Sequence, residues 1–265
     1  MNRPLNVGSV RYINACPLNW GLACDPTVRL SLDVPSNLLG GLSAGRFDVA
    51  LLPVIDYQRL GGLRLLRSGG IGCDGPTLTV RLFSRVPPER IRTLACDPDS
   101  HTSVALTRII LAERFENRPK MVTVGATDAS EADAVLLIGD KVVCGTAPRT
   151  AFELDLGGEW KAMTSLPFVF AAWCARAGID LRDLPARLER ALREGLENVA
   201  RIVTEQAVPR GWPADLAFEY LTQRLKFDIG ARQIEAISLF HRLAHRHGAF
   251  EHEPWPLVEV PTVVG

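Results

Sequence analysis

Short apolar runs suited to buried strands recur through the first two thirds of the chain, with helical spacing between them, and this alternation limits the fold more than any other feature. The runs are Leu5–Val10, Arg29–Val34, Asp48–Pro53, Leu63–Ser68, Thr77–Ser84, Thr93–Asp97, Met121–Gly125 and Ala134–Asp140. Strands alternating with helices bury a sheet beneath helical layers, so the pattern predicts an α/β fold. Ser36 stands where it can cap a helix over Asn37–Gly45, joining the second and third strands. Phe168–Cys174 is apolar throughout and lies between Pro167 and Gly178, as expected of a strand buried on both faces. The chain then turns helical. Arg182–Pro185 is a helix start, followed at helical steps by Leu188, Leu192, Leu196, Val199 and Val203 as far as Pro209. Shorter helices are expected around Ala214–Leu225 and Ala231–Arg246. Pro254, Pro256 and Pro261 make the tail from Glu253 an extended surface strap.

At 265 residues and 47% hydrophobic content the chain can build two lobes with their own cores. Arg85-Val86-Pro87-Pro88-Glu89 breaks any regular element and is a candidate crossing between lobes, with a return near Phe168–Arg176. The division expected is one lobe from residues 1–84 plus 177–265 and a second from residues 85–176, including the return crossing. Lys plus Arg equal Asp plus Glu at 30 each, so no overall basic field exists to hold nucleic acid or an anionic membrane. The chain begins Met1-Asn2-Arg3-Pro4 and runs directly into a strand, with no apolar leader-like run, which suggests a cytoplasmic protein. The six cysteines form no C-x-x-C pair, arguing against a zinc site or redox dithiol. Cys16 alone stands at a helix start, where a thiolate is favoured; otherwise it is a small buried apolar residue.

Two strand-to-helix junctions offer chemistry. At the first, Tyr12-Ile13-Asn14-Ala15-Cys16-Pro17, Pro17 fits a first helical turn, and Asn14 either caps that helix or joins its free N–H groups in holding an oxyanion. At the second, Asp97-Pro98-Asp99-Ser100-His101-Thr102-Ser103 crowds Ser100, His101, Thr102 and Ser103 into a helix start, either as a cap with bystanders or as a ligand nest. Between them, Thr79 could turn its hydroxyl to a cleft, although threonine is also simply a good strand former. Asp140 ends an apolar strand, where α/β proteins bind ligands; a turn or salt-bridge role is the plainer reading. Gly69-Gly70-Ile71-Gly72 does not follow a nucleotide-binding pattern. His241, His245 and His247 near the end of the last helix read as a solvated face favoured by the helix dipole, with a metal pair at His241 and His245 as the lesser alternative.

Tyr12–Leu18, Pro35-Ser36 through Gly45–Val54, Asp99–Leu106, Leu137–Asp140, Asp155–Trp160 and Leu166–Trp173, in that order, resemble the menaquinone-biosynthesis chorismate dehydratase family of the futalosine pathway. The resemblance implies a two-lobed fold like the type II periplasmic binding proteins, with a ligand cleft between lobes. It implies loss of water from chorismate to give 3-[(1-carboxyvinyl)oxy]benzoate, by a carbon–oxygen lyase that uses no metal or organic cofactor. On this reading Asn14 and Thr79 are catalytic, and Ser100, His101, Thr102, Ser103 and Asp140 bind substrate. The sequence departs from the family pattern at Thr79, where serine is expected, at His101, where arginine is expected, and at Thr164-Ser165, where a Thr-Gly pair is expected. Two other functions compete: a cytoplasmic carboxylate-binding or sensory domain of the same fold, and the later naphthoate-forming synthase of the pathway.

Overall fold

The structure, a computed structural model, describes residues 3–97, 100–123, 132–145 and 148–261. Pro98, Asp99 and Gly125, which belong to expected elements, lie outside the described residues. The strands are β1 (Leu5–Val10), β2 (Val28–Asp33), β3 (Val49–Pro53), β4 (Leu63–Cys73), β5 (Val80–Ser84), β6 (Thr93–Cys96), β7 (Lys120–Thr123), β8 (Ala134–Ile138), β9 (Phe152–Asp155), β10 (Phe168–Arg176), β11 (Leu225–Lys226) and β12 (Glu259–Val260). The helices are α1 (Cys16–Asn19), α2 (Pro35–Ser43), α3 (Asp56–Leu60), α4 (His101–Phe115), α5 (Asp140–Val143), α6 (Leu156–Thr164), α7 (Leu184–Glu197), α8 (Val199–Ile202), α9 (Ala214–Glu219) and α10 (Ala231–Arg246).

These strands form two sheets, one per lobe, so the α/β expectation and the two-lobed fold both hold. The first sheet has the order β11-β4-β10-β3-β1-β2, with β12 beside β4; the second has the order β7-β6-β8-β5-β9. Sheet membership moves both expected crossings. Val80–Ser84, expected in the first lobe, pairs antiparallel with β8 and β9 in the second sheet. Phe168–Arg176, expected with the second lobe, pairs along its length with β3 and β4 in the first. The chain therefore leaves the first sheet after Cys73 and rejoins it at Phe168. Arg85–Glu89 is a turn inside the second lobe.

Apolar content decides the central strands. All of β3 is buried, as a strand covered on both faces requires. β4 extends five residues beyond its expected end at Ser68, through the glycine-rich stretch. Two of those glycines are there for close approach. A Cβ at Gly70 would stand 2.6 Å from the Ala171 carbonyl oxygen, and one at Gly72 would stand 2.6 Å from that of Phe168. The stretch is thus a strand crowded against β10, where the pairing shifts register twice.

Helix starts differ in detail from expectation. α2 begins at Pro35, with Val34 at the cap position and no side-chain cap, so Ser36 lies inside the first turn. The segment from Phe152 through Thr164, for which no element was expected, forms β9 and α6. Asp155 caps α6 by accepting from the N–H groups of Gly157 (3.0 Å) and Gly158 (3.1 Å). The helix expected from Ala214 to Leu225 is α9 followed by a wider turn that contains Tyr220.

Aromatic packing joins the lobes where the chain returns. Trp160 of α6 meets Phe168 of β10 edge-on at 5.1 Å, and Phe240 of α10 meets Phe168 at 5.2 Å. The tail does run extended: β12 lies along β4, and Trp255 and Val258 bind α3. His241 corrects the solvated-face expectation. It is buried in the core, where Gln58 Nε2 donates to its Nδ1 (2.9 Å) and its Nε2–H donates to the Val54 carbonyl (2.8 Å). Burial holds its pKa down, to about 4. Among the described residues no group of three or more His, Cys, Asp or Glu side chains could hold a metal ion.

Candidate functional site

A cleft of about 320 Å³ is lined by residues from both sheets, within the usual size range of small-molecule sites. Asn14 reaches it from the turn between β1 and α1, and Thr79 from the segment that leaves the first lobe. Ser100, His101, Thr102 and Ser103 reach it from the start of α4, and Asp140 from the start of α5. One cavity thus collects the seven residues assigned from sequence to catalysis or substrate binding.

Their local geometry departs from simple capping. Tyr12, not Asn14, precedes the first turn, and neither it nor Ala15 caps by side chain. α1 itself is only four residues long. It is held by α7, whose Gly195 lets Pro17 approach so closely that a Cβ would fall 2.3 Å from the Pro17 carbonyl oxygen. Asn14 Oδ1 is buried and has no hydrogen-bond partner among the described residues. Ser100 occupies the cap position of α4 yet makes no cap bond, and its Oγ is likewise buried without a partner among the described residues. Buried polar atoms are rarely left unpaired, and two at one cavity mark places for ligand atoms.

Thr79 lies ahead of β5, not within a strand, and its position depends on Asp155. The Asp155 carboxylate accepts from the N–H groups of Thr77 (2.9 Å) and Leu78 (2.8 Å). Leu78 is held at φ +70°, a conformation that costs a non-glycine residue about 1–2 kcal/mol. The Thr79 hydroxyl is 2.9 Å from the Tyr220 hydroxyl, and Tyr220 also faces the Asn14 amide. Burial pushes the Tyr220 phenol upward, so it keeps its proton. The two hydroxyls share a hydrogen bond in which either can be the donor, with the Asn14 amide beside them, so Thr79 is able to offer its hydrogen to a cleft ligand.

Other side chains are already committed. Thr102 Oγ1 donates to the Phe170 carbonyl (3.0 Å), tying α4 to β10 and leaving only its backbone N–H for an anion. Asp140 Oδ1 accepts from Trp212 Nε1 (2.8 Å), and Trp212 stacks on Tyr220 at 5.2 Å. His101 Nδ1 donates to Asp56 Oδ2 (2.8 Å), and Asp56 is wholly buried and also accepts from Arg59 (3.0 Å). Cys16 is not activated, because burial raises its thiol above the ordinary value. Sequence reasoning missed Asp56, Tyr220 and Trp212. None lies in a motif, and each arrives from a distant part of the chain.

The sequence matches the menaquinone-biosynthesis family from residue 5 to residue 246. The chain belongs to that family. Among relatives of this menaquinone-biosynthesis protein, the chorismate dehydratase of Thermus thermophilus is 30% identical over 228 residues, covering 77% of this chain and 82% of the relative. Solved structures share the fold. A protein of Archaeoglobus fulgidus superposes with a TM-score of 0.72 at 16% identity, over 93% of this chain and 98% of that one. The alkanesulfonate-binding protein of Xanthomonas axonopodis pv. citri, solved with MOPS, gives 0.68 at 12% identity, over 99% of this chain and 100% of that one. At these identities the likeness establishes a periplasmic-binding-protein-like fold for the family member, and no ligand. Among the described residues no helix is long and apolar enough to cross a membrane.

Proposed function

We propose that this protein is a chorismate dehydratase that forms 3-[(1-carboxyvinyl)oxy]benzoate and water, the first step of the futalosine route to menaquinone. The observation that carries this reading is the pair of unmet buried atoms, Asn14 Oδ1 and Ser100 Oγ, at one cleft of a protein whose family makes menaquinone. They differ in kind. Oδ1 only accepts and suits a ring hydroxyl, whereas Ser100 Oγ can donate and, with the free N–H groups at the start of α4, suits a carboxylate. Chorismate presents both.

Dehydration removes the ring proton beside the enolpyruvyl ether and the neighbouring hydroxyl, leaving an aromatic ring. The substrate's own enolpyruvyl carboxylate takes the ring proton as the carbon–hydrogen electron pair forms the new ring double bond. The carbon–oxygen pair leaves with the hydroxyl, which receives that proton from the carboxylic acid and departs as water. The carboxylate is regenerated. Asn14 holds the departing hydroxyl as an acceptor while Thr79, backed by the Tyr220 hydroxyl, donates to its oxygen, so the protein acts by positioning and charge stabilisation. Asp140, engaged with Trp212, keeps one oxygen for the ligand.

Incubation with chorismate, followed by ultraviolet absorbance, tests the reading. The aromatic product should appear, and Asn14→Ala and Thr79→Ala should cut turnover by about 10²-fold or more with much smaller changes in binding. A thermal shift with chorismate and no conversion would instead identify a carboxylate-binding domain, and the absence of both would direct attention to the later naphthoate-forming step. If Asp140→Asn alone abolished turnover while binding persisted, the substrate would not be its own base.

A further inference from the structure

Asp56 decides which face of His101 meets the cleft. A carboxylate oxygen only accepts, so His101 Nδ1, 2.8 Å from Asp56 Oδ2 and 3.0 Å from Oδ1, must carry hydrogen. The imidazole then has one variable atom, Nε2. In the neutral ring Nε2 is a lone pair and repels a carboxylate; only in the doubly protonated ring does it donate to one. Asp56 is fully buried on α3, and the His101 side chain is 16% exposed at the cleft wall. This arrangement fixes the orientation of the ring while leaving the charge of its outer edge to the solvent proton.

The groups around the imidazole come from several elements. From α3 come Asp56 and Arg59, the latter 40% exposed and sharing the Asp56 carboxylate. From β6 and the residue after it come Cys96, whose thiol burial pushes up to about 12, and Asp97, which Lys141 of α5 pairs. Asp140, bonded to Trp212, faces the same cleft, as do the hydroxyls of Ser100 and Ser103 on the ring's own helix. Asp56 places an anion on the inner side of the ring, with Arg59 and the positive start of α4 beside it. An incoming carboxylate adds a second anion on the open side.

We propose that the protein binds a ligand carboxylate at His101 only with the imidazole doubly protonated, so that ligand binding takes up a proton and Asp56 is the positioning residue for it. The proposal rests on the reading of the cleft as a dicarboxylate site. The linkage sign follows directly: on the alkaline side of the free imidazole's titration, affinity falls as pH rises, because each binding event must first protonate His101.

The test uses the full chain and 3-[(1-carboxyvinyl)oxy]benzoate, a dicarboxylate with no hydroxyl left to lose. Its dissociation constant is measured by calorimetry from pH 5.5 to pH 9, in pairs of buffers with different heats of protonation. Wild type should take up as much as about one proton per ligand and lose affinity by as much as about tenfold per pH unit at the alkaline end. His101→Arg, a permanent cation, should bind without proton uptake and with flat affinity. His101→Gln should also be flat, near the weak alkaline limit of wild type. Asp56→Asn, whose amide can also donate to Nδ1 and so leave the hydrogen of the neutral ring on Nε2, should bind with less proton uptake than wild type, which loss of packing alone would not produce. Flat wild-type binding without proton uptake, or an unchanged slope in His101→Arg, overturns the proposal and leaves the dehydratase reading intact. Failure of the ligand to bind at any pH overturns both.

Discussion

Single atoms divide the site residues into those already satisfied and those waiting. Ser100 Oγ is buried without a partner among the described residues, so removing it from the ligand-free protein should leave stability within about 0.5 kcal/mol of wild type. Ligand affinity should nevertheless fall about tenfold in Ser100→Ala, equal to about 1.4 kcal/mol. Denaturation curves beside a binding titration check the two halves together. Thr102 illustrates the opposite case: its hydroxyl is spent on the Phe170 carbonyl, so it contributes to the site through its backbone. The crowding of polar side chains at residues 100–103 was visible in the sequence, but their sorting was not. It depends on Phe170, Asp56 and the cap geometry, all set by tertiary contacts.

At the level of elements, the alternation of strands and helices was legible because apolar runs and turn residues are local signals. What escaped was the sheet to which each strand belongs. Val80–Ser84 and Phe168–Arg176 read equally well in either lobe, since the residues they pair with are far away in the chain. Thr77–Thr79 read as strand because alternating threonines favour it, while the positive φ of Leu78 leaves no mark on composition. Asp155 supplies the missing constraint. It caps α6 and holds the backbone of Thr77 and Leu78 at once. Asp155→Ala should therefore cost about 2–4 kcal/mol, more than an ordinary cap, because it also frees backbone groups in the crossing segment. Turnover should fall as well, since Thr79 follows directly on that segment. Chemical denaturation and a chorismate assay on the same preparation measure both effects.

For the molecule as a whole, acid sensitivity should have an identifiable source. The Gln58 amide is locked, with Oε1 accepting from Trp255 N–H (2.7 Å) and Nε2 donating to the Trp255 carbonyl (3.0 Å), so it can offer only a donor to His241 Nδ1. A proton on Nδ1 has no place to go. The folded-state pKa of about 4 lies below the ordinary value of 6.5, so the unfolded chain binds the proton first. Stability from this residue is complete above pH 6.5 and is lost as pH falls toward 4, by about 3 kcal/mol. Urea unfolding of wild type and His241→Gln across that window should show a slope in the former that is largely absent from the latter. This histidine's place near the end of the last helix suggested a solvated face, because position in the sequence does not report a buried partner from α3.

The short helix α3 looks two ways. Asp56 turns toward His101, while the Tyr57 hydroxyl accepts from Val258 N–H (2.9 Å) and the Gln58 carbonyl accepts from His252 (2.7 Å). Its partners on that second side lie about two hundred residues further along the chain. A ribosome delivers the two ends of this arrangement at different times, α3 first and the strap about two hundred residues later. Until then α3 lacks the contacts that seat it, and His101 lacks a fixed carboxylate to orient against. The ligand site therefore reaches its finished form late, after both sheets have been made.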